Sequence, residues 1–366
     1  MRLCIVLPSH LSAGFGGAEY QVSLLIERLL ETIPTAEVVY LARNVNQDFH
    51  DSRYSVIKLR SFLSIRKLGY FADSVSLYRS LRKVDPDIIY QRIGCAYTGV
   101  VAAYAKRHRK TMIWHVSIDN DLANHTDRFP WLTRGIERAL RDFGIRRATQ
   151  IVTQSNFQAQ LLKKVYGRNA IVVRNFHPAP MTDVPKTSSP TIVWVANMKP
   201  AKRPELFVEV ANQLRDIPGI RFVMAGRNGQ KEPYSTLLAD AVKTLPLSYV
   251  GELPQDAIND LIGSAWVLVN TSSVEGFPNT FIQAWQRRTL VASLSANPDG
   301  VLHQFGVAGT GNNTILLAEQ VRKLILTPTE YSRTTIAAQE YVNVAHGMHN
   351  ADRLIDLFGV LPKVPC

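Results

Sequence analysis

Short apolar runs alternate with amphipathic stretches along the whole chain, a pattern typical of repeated strand–helix units in parallel sheets. The first series of predicted strands comprises Leu3–Leu7, Glu37–Leu41, Ser55–Leu59, Ile88–Gln91, Thr111–Val116, Ile151–Gln154 and Ile171–Arg174. The second series comprises Ile192–Ala196, Arg221–Ala225, Ser248–Gly251, Trp266–Asn270 and Leu290–Ser293. Helices are predicted between most strands, most clearly at Ala18–Leu30 and Gly99–Arg107, and a last amphipathic stretch covers Ala337–Phe358.

A proline-rich segment separates the two series. Four prolines fall within residues 176–190, and proline interrupts both helix and sheet. Because 366 residues are long for one hydrophobic core, the sequence predicts two domains, residues 1–177 and 191–345, joined by a linker at 178–190. A C-terminal helix within residues 346–366 is expected to pack back on the N-terminal domain. The predicted fold class is α/β, with two Rossmann-like domains facing each other across an interdomain cleft.

Composition describes an ordinary globular protein, with 46% hydrophobic and 20% charged residues. No apolar stretch approaches the roughly 20 residues of a membrane-spanning helix. The first residues resemble a strand more than a signal peptide. Cys4, Cys95 and Cys366 have neither metal nor disulfide spacing, so we expect a cytoplasmic protein without structural disulfides.

One segment carries the most specific chemistry. Glu275–Gln283 follows a predicted buried strand and leads into a predicted helix. The free N–H groups and positive dipole of a helix start attract phosphate. An acid placed just ahead of that start would lie beside whatever the phosphate carries. This combination predicts a sugar-nucleotide site.

Two further turns follow strands of the same predicted sheet. Lys199–Glu205 leads into a helix whose first turn suits Pro204, so Lys202 and Arg203 lie where an anion would dock. The second turn is Gly226–Gly229. Although an isolated basic turn is usually only solvated, three loops are here predicted to converge on one sheet edge.

The N-terminal half offers less specific candidates. Gly14–Glu19 follows the first strand and opens a helix, which suits either close approach to a phosphate or an ordinary strand–helix turn. His115 ends a strand, where a lone histidine is more often structural. Asp119 and Asp121 have the spacing of some metal sites but lack a third ligand, so no metal is expected.

Several short motifs occur along the chain in the order and spacing of the family 4 glycosyltransferases of the GT-B fold. The chain resembles that family over nearly its whole length. The matching residues are Gly16-Gly-Ala-Glu19, His115, Ser155, Asn175, Asn197, Lys202, Ala225-Gly226, Val250-Gly251 and Glu275-Gly-Phe-Pro278. The last motif is specific, whereas the others are weak singly.

The resemblance implies transfer of a sugar from a nucleoside-diphosphate donor to an acceptor hydroxyl, with retention of anomeric configuration and without a metal or other cofactor. It assigns catalytic roles to Glu275 at the sugar hydroxyls, Lys202 at the diphosphate and His115 at a sugar hydroxyl. Stabilising the charge of the leaving group is the main physical need. The donor-binding residues implied are Gly16, Gly17, Asn197, Arg203, Gly226, Arg227, Glu252, Leu253, Gly276, Phe277, Pro278, Asn279, Thr280 and Gln283.

Two positions depart from the family pattern. Gln283 stands where a second acid is usual; its amide oxygen can still accept hydrogen bonds from ribose hydroxyls. Asn197 stands where arginine is frequent, which removes one charge facing the phosphates. These departures leave open a non-catalytic protein that binds nucleotide or glycan. A nucleotide-sugar 2-epimerase is a further alternative, although it needs more acids and histidines than the first domain offers.

Positive charge is concentrated in the first half of the chain. Residues 1–178 contain 26 Lys and Arg against 14 Asp and Glu, whereas residues 179–366 contain 16 of each. The basic residues Arg53, Lys58, Arg60, Arg66, Lys67, Arg79, Arg82, Lys83 and Lys106–Lys110 are interleaved with Phe62, Leu63, Ile65, Leu68, Tyr70, Phe71 and Phe129–Trp131. Such a face suits an anionic membrane, a nucleic acid or plain solvation.

Because the first domain of this fold binds the acceptor, the charge asymmetry predicts a peripheral enzyme at the inner face of the cell membrane. Its acceptor would be a lipid-linked or envelope glycan in polysaccharide biosynthesis. A nucleic-acid partner is not expected, since a basic face alone would not explain Glu275–Pro278.

Overall fold

The computed structural model divides the chain into two units, Met1–Phe176 with Met348–Cys366, and His177–Gly347. It describes residues 1–14, 16–46, 48–60, 69–123, 133–228, 233–309 and 311–359. Each unit is a parallel sheet covered by helices on both faces. The predicted α/β class with two Rossmann-like domains is therefore confirmed.

The first unit contains a seven-stranded parallel sheet in the order β3-β2-β1-β4-β5-β6-β7. Its strands are β1 (Arg2–Val6), β2 (Glu37–Ala42), β3 (Ser55–Lys58), β4 (Ile88–Arg92), β5 (Thr111–His115), β6 (Gln150–Thr153) and β7 (Ile171–Val172). The central strands show no alternation of apolar and polar residues, because both of their faces are buried.

Six α-helices of the described residues cover this sheet. They are α1 (Gly17–Thr32), α2 (Ser74–Val84), α3 (Ala96–His108), α4 (Arg134–Arg147), α5 (Asn156–Tyr166) and α13 (His349–Asp356). Helices α1 and α13 pack on one face, whereas α2, α3 and α5 contribute to the core of the other. Helix α13 is joined to α1 by Arg28, whose Nε donates to Asp352 over 2.7 Å.

The second unit contains a six-stranded parallel sheet in the order β10-β9-β8-β11-β12-β13. Its strands are β8 (Thr191–Val195), β9 (Arg221–Ala225), β10 (Leu247–Tyr249), β11 (Val267–Asn270), β12 (Leu290–Ser293) and β13 (Val307–Ala308). Its α-helices are α6 (Pro204–Leu214), α7 (Tyr234–Thr244), α8 (Gln255–Ser264), α9 (Asn279–Gln286), α10 (Leu302–Phe305), α11 (Thr314–Ile325) and α12 (Pro328–Ala345). Helices α6, α7 and α11 cover one face, and α8, α9, α10 and α12 cover the other.

The structure differs from the predicted pattern at two places. The last amphipathic stretch is not continuous: α12 ends at Ala345, α13 begins at His349, and the two helices belong to different units. The buried His346 leaves helical geometry at φ −129°, which breaks the stretch. Strand β13 was not predicted, because a strand of two residues is too short to show a hydrophobic pattern in the sequence.

The proline-rich segment 178–190 contains neither helix nor strand, and it lies within the second unit. Lys186 anchors it, because its Nζ donates to the Gly263 oxygen over 2.9 Å and to the Ala265 oxygen over 2.6 Å. The segment is thus part of the folded unit.

Several residues of the predicted basic and aromatic face lie outside the described residues. They are Phe62, Leu63, Ile65, Arg66, Lys67, Leu68 and Phe129–Trp131. Phe15 of the first glycine turn and Gly229 of the Gly226 turn lie outside them as well.

Candidate active site

The second sheet has a topological switch at its centre. The chain leaves β8 for β9 on one side and later returns as β11 on the other side of β8. The loops that follow β8 and β11 therefore diverge, and such a divergence forms the ligand crevice of open parallel sheets. The β8 loop carries Lys202, and the β11 loop carries Glu275.

Lys202 and Glu275 meet at this switch. The Lys202 Nζ forms an ion pair with Glu275 Oε1. Their side chains are 29% and 13% exposed, so the pair is half-buried rather than freely solvated. The predicted convergence of these two loops is confirmed, because adjacent parallel strands end at one edge.

Thr271, at the end of β11, fastens the two loops together. Its Oγ1 donates to the Lys202 oxygen over 2.7 Å and accepts from the Trp194 indole over 2.9 Å. In addition, the Ser273 N–H donates to the Ala201 oxygen over 2.9 Å. The backbone that presents Lys202 is thereby fixed relative to the loop that presents Glu275.

Arg203 is half-buried, and its guanidinium is bound by other loops of the sheet edge. It has a positive φ of 49°, and its guanidinium donates to the Thr271 oxygen, the Ser295 hydroxyl over 2.8 Å and the Asn312 amide oxygen. Burial lowers the pKa of this guanidinium from its ordinary value. Its donors thus hold three loops of the sheet edge in place, a structural task that the sequence did not indicate.

The turn after β9 lies next to the β8 loop. Gly226 has φ 137°, and a Cβ on it would lie 1.9 Å from the Ala196 oxygen, so a glycine is required for the close approach of the two backbones. The Arg227 N–H donates to the Asn197 amide oxygen over 3.1 Å, and the exposed Arg227 guanidinium pairs with Glu252 over 3.0 Å. The structure therefore brings these four predicted donor-binding residues to one edge.

The Glu275 loop ends at the start of α9. Gly276, Phe277 and Pro278 are buried, and the Phe277 ring packs in the core against Trp285. Pro278 is the N-cap residue and makes no side-chain capping hydrogen bond. The positive end of the α9 dipole therefore lies at the end of the Glu275 loop, whereas the Phe277 side chain packs in the core beneath the loop.

Gln283, one turn into α9, is buried. Its Nε2 donates to the Asn259 amide oxygen over 2.9 Å. Leu253, by contrast, is half-buried, and Glu252 beside it is exposed after β10. Gln283, which stands in place of the usual acid, is thus hydrogen-bonded to the Asn259 amide.

In the first unit the switch lies between β1 and β4. Gly16 is the N-cap residue of α1 and Gly17 is its first residue, so the predicted glycine turn opens this helix. A Cβ on Gly16 would lie 2.1 Å from a Glu19 carboxylate oxygen, which shows that this carboxylate folds back over the turn.

His115, at the end of β5, is 1% exposed. The Tyr90 hydroxyl lies 2.6 Å from its Nδ1, and its Nε2 has no hydrogen-bond partner among the described residues. Burial, and to a lesser degree the nearby Arg92, holds the pKa of His115 well below its usual range, so the ring is neutral at pH 7. Arg92 itself is 2% exposed and donates to the Asn175 amide oxygen over 2.8 Å.

The two aspartates after β5 accept hydrogen bonds from neighbouring parts of the first unit. Asp121 accepts from the N–H groups of Ser117, over 2.8 Å, and Ile118, while Asp119 accepts from the Gln158 amide. Within the described residues no group of three His, Cys, Asp or Glu is placed to hold a metal.

Two family models cover most of the chain. Residues 15–176 match the model described as Glycosyltransferase Family 4, and residues 182–341 match the one described as Glycosyl transferases group 1. The chain belongs to glycosyltransferase family 4. No curated protein sequence matches this glycosyltransferase.

Solved structures share the fold of the glycosyltransferase. Anabaena Alr3699/HepE, in complex with UDP-glucose, is 15% identical with a TM-score of 0.76, and the match covers 99% of this chain and 100% of that one. Sucrose-phosphate synthase from Thermosynechococcus elongatus is 14% identical with a TM-score of 0.78, and 98% of each chain is covered. The lipopolysaccharide outer core galactosyltransferase WaaB, in its apo form, is 15% identical with a TM-score of 0.70, covering 99% and 100%. The predicted GT-B fold is confirmed.

Sequence reasoning missed several residues that build the site of the glycosyltransferase. Thr271 and Asn259 hold Lys202 and Gln283 through single hydrogen bonds, and Arg92 lies beside His115. Arg92 had a usable signal, because it ends a strand at the carboxyl edge, as His115 does. Thr271 and Asn259 had none, since their partners are distant in sequence.

Proposed function

We propose that this glycosyltransferase moves a sugar from a nucleoside-diphosphate donor to an acceptor hydroxyl with retention of anomeric configuration. The observation that carries the proposal is the half-buried Lys202–Glu275 pair at the switch between β8 and β11. The Lys202 ammonium suits an anionic part of a ligand, and the Glu275 carboxylate suits a polyhydroxylated part joined to it.

The donor diphosphate would bind between Lys202 and the start of α9. Lys202 supplies a full positive charge, and the N–H groups around Asn279 and Thr280 supply the helix dipole. The ion pair with Glu275 keeps the Lys202 ammonium in place before the donor arrives. Both groups would stabilise the negative charge that develops on the departing diphosphate, a charge-directed term worth several kcal/mol in many enzymes.

The remaining parts of the donor have candidate partners on the same edge. Glu275 would accept hydrogen bonds from hydroxyls of the transferred sugar. The exposed Glu252 and the half-buried Leu253 follow β10 and would border the base. The Gln283 amide would face the ribose, while its nitrogen remains bonded to Asn259.

In this proposal Lys202 and backbone dipoles, rather than a metal ion, neutralise the leaving group. Transfer is therefore expected to persist in the presence of EDTA. Loss of transfer in EDTA that is restored by added Mg²⁺ would contradict this assignment.

Thermal stabilisation by nucleotides tests the donor site. Because HepE binds UDP-glucose in its structure, UDP and UDP-glucose head the panel, followed by GDP, ADP and their sugars. A ligand that binds only the folded protein, at 100 times its dissociation constant, adds about 2.7 kcal/mol to stability. We expect one nucleotide to raise Tm, and Lys202→Ala to abolish the shift.

Lys243→Ala is the matched control, since Lys243 is an exposed lysine in the last turn of α7. It should keep the nucleotide-dependent shift. An equal shift in the native chain and in Lys202→Ala would place the phosphates elsewhere. Turnover of the stabilising sugar nucleotide then separates an enzyme from a non-catalytic binding protein.

We further propose that the acceptor is a lipid-linked or envelope glycan, bound at the inner face of the cell membrane. Support comes from an exposed basic face on α4 and α5, where Arg146 lies over the Tyr166 ring at 5.5 Å and Arg147 lies over the Phe143 ring at 4.0 Å. Lys163 and Lys164 are exposed beside them. In the described residues, no helix has the length and apolarity to cross a membrane.

Vesicle binding tests this second part. Each cation near an anionic surface contributes about 1 kcal/mol, and high salt screens it. The native chain should sediment with phosphatidylglycerol vesicles at low salt, and the Arg146→Glu/Arg147→Glu variant should bind at least about tenfold more weakly. Lys243→Glu serves as the control. Equal binding to neutral phosphatidylcholine vesicles would overturn the membrane assignment.

A further inference from the structure

Four buried side chains of the first unit form a chain of contacts that ends at His115. Arg92 and His115 are register partners at the carboxyl ends of β4 and β5. The Arg92 Nη2 donates to the Asn175 amide oxygen over 2.8 Å, so the Arg92 guanidinium is held beside His115. The Tyr90 hydroxyl in turn lies 2.6 Å from His115 Nδ1.

The hydrogen bond between Tyr90 and His115 fixes the position of the protons. Burial raises the pKa of Tyr90 to about 12, and the hydroxyl therefore keeps its proton at neutral pH. That proton points to His115 Nδ1, since the opposite arrangement would leave the buried Tyr90 O–H without an acceptor, at a substantial cost.

A neutral imidazole that accepts at Nδ1 carries its proton on Nε2. His115 Nε2 is buried and has no partner among the described residues. Buried polar atoms in folded proteins are almost always paired, so an orphaned Nε2–H at a sheet edge indicates a missing acceptor oxygen.

We infer that Tyr90 is a positioning residue, which locks His115 as an Nε2–H donor toward an oxygen of the substrate sugar. The inference rests on the proposed glycosyl transfer for the identity of that oxygen. It also excludes His115 as the acceptor of the proton from the attacking hydroxyl, because the nitrogen that faces the substrate already carries one.

The tautomer of His115 is measurable without any activity. In the full chain labelled with ¹⁵N-histidine, two-bond ¹⁵N–¹H correlations distinguish the two neutral tautomers, and comparison with His115→Asn assigns the signal among the nine histidines. We expect the proton on Nε2 in the native chain. In Tyr90→Phe we expect a mixture of tautomers. A proton on Nδ1 in the native chain, or an unchanged tautomer in Tyr90→Phe, would overturn the inference.

Kinetics test whether the lock serves the reaction. With UDP-glucose, or with whichever sugar nucleotide stabilises the chain, Tyr90→Phe should lower kcat/KM roughly tenfold, mainly through kcat. Tyr331→Phe is the matched control, because its buried hydroxyl donates to the Trp266 oxygen over 2.7 Å in the second unit. If both variants lose Tm equally but only Tyr90→Phe loses turnover, positioning and not folding explains the loss. Equal turnover in the two variants would contradict the inference.

Two substitutions of His115 separate its nitrogens. The amide nitrogen of glutamine reaches toward the place of Nε2, whereas that of asparagine reaches only the place of Nδ1. His115→Gln should therefore keep about tenfold more activity than His115→Asn, and the reverse order would count against an Nε2–H donor. If the native chain turns over no sugar nucleotide, the proposed transfer fails, whereas the tautomer measurement still decides whether Tyr90 locks the ring.

Discussion

The two sheet edges present their polar side chains in opposite ways. At the edge of the second unit, Lys202, Glu275, Arg227 and Glu252 are partly exposed and form ion pairs with each other. At the edge of the first unit, Arg92 and His115 are almost fully buried, and each has a nitrogen without a partner among the described residues. The edge of the second unit therefore presents partly exposed charged groups, while the edge of the first unit presents buried hydrogen-bond donors.

The largest effect is expected where the second edge carries its charge. Glu275→Ala should lower kcat by roughly 10²–10³, because it removes both the proposed contact to the sugar and the ion-pair partner of Lys202. Steady-state turnover of the stabilising sugar nucleotide measures this. Glu340→Ala, which removes an exposed acid of α12, is the control. A loss for Glu275→Ala no greater than that for Tyr90→Phe would break the comparison between the two edges.

The next largest effect concerns the backbone of the second edge. Gly226→Ala should cost about 3 kcal/mol of stability, since a Cβ would collide with the Ala196 oxygen at a φ that L-residues avoid. Gly251→Ala is the matched control, because Gly251 has φ 75° but open space around it. It should cost about 1 kcal/mol. Chemical denaturation measures both, and equal costs would show that backbone conformation alone, and not the close approach, requires Gly226.

Acid should destabilise the chain through its buried histidines. Burial lowers the pKa of His177, at the start of the second unit, to about 4, against roughly 6.5 in the unfolded chain. Between these values the unfolded chain binds a proton that the folded chain does not, so stability is full above pH 6.5 and is lost as the pH falls toward 4. His177→Asn should remove about 3 kcal/mol of this pH dependence. An unchanged slope of denaturation free energy against pH would contradict the prediction.

The smallest effect is expected at Gln283. A carboxylate accepts stronger hydrogen bonds from ribose hydroxyls than an amide does. Gln283→Glu should therefore lower the donor KM by about two- to fivefold, provided that the Asn259 amide rotates to donate to the new carboxylate. The variant Gln283→Glu/Asn259→Asp, in which no donor remains, is the matched comparison and should raise KM. A rise in KM for Gln283→Glu alone would mean that Gln283 serves Asn259 and not the donor.

Residues at strand ends were the predictable part of this site. Lys202 and Glu275 follow adjacent parallel strands, so their convergence was fixed by topology once the strands were found. The apolar runs indicated those strands because both faces of each sheet are buried. Most strand boundaries shifted by only one or two residues.

Contacts between distant segments were the unpredictable part. Arg92 and Asn175 are 83 residues apart, and Asn175 lies outside every helix and strand. The Arg203 guanidinium looked available to an anion, yet it reaches a carbonyl and two side chains that only tertiary structure brings near. The hydrophobic pattern of the sequence indicates which strand or helix carries a side chain. It does not indicate the side chain's rotamer or its distant partners.

The return of α13 to the first unit has a consequence for biosynthesis. Ala351, Leu354, Ile355 and Phe358 complete a core whose other buried members come from the first 176 residues. On the ribosome, that apolar face of the nascent first unit must stay uncovered until the whole second unit has been translated. A segment made after the second unit therefore closes the core of the first unit, and a stop codon placed after Gly347 would release a protein with an open core.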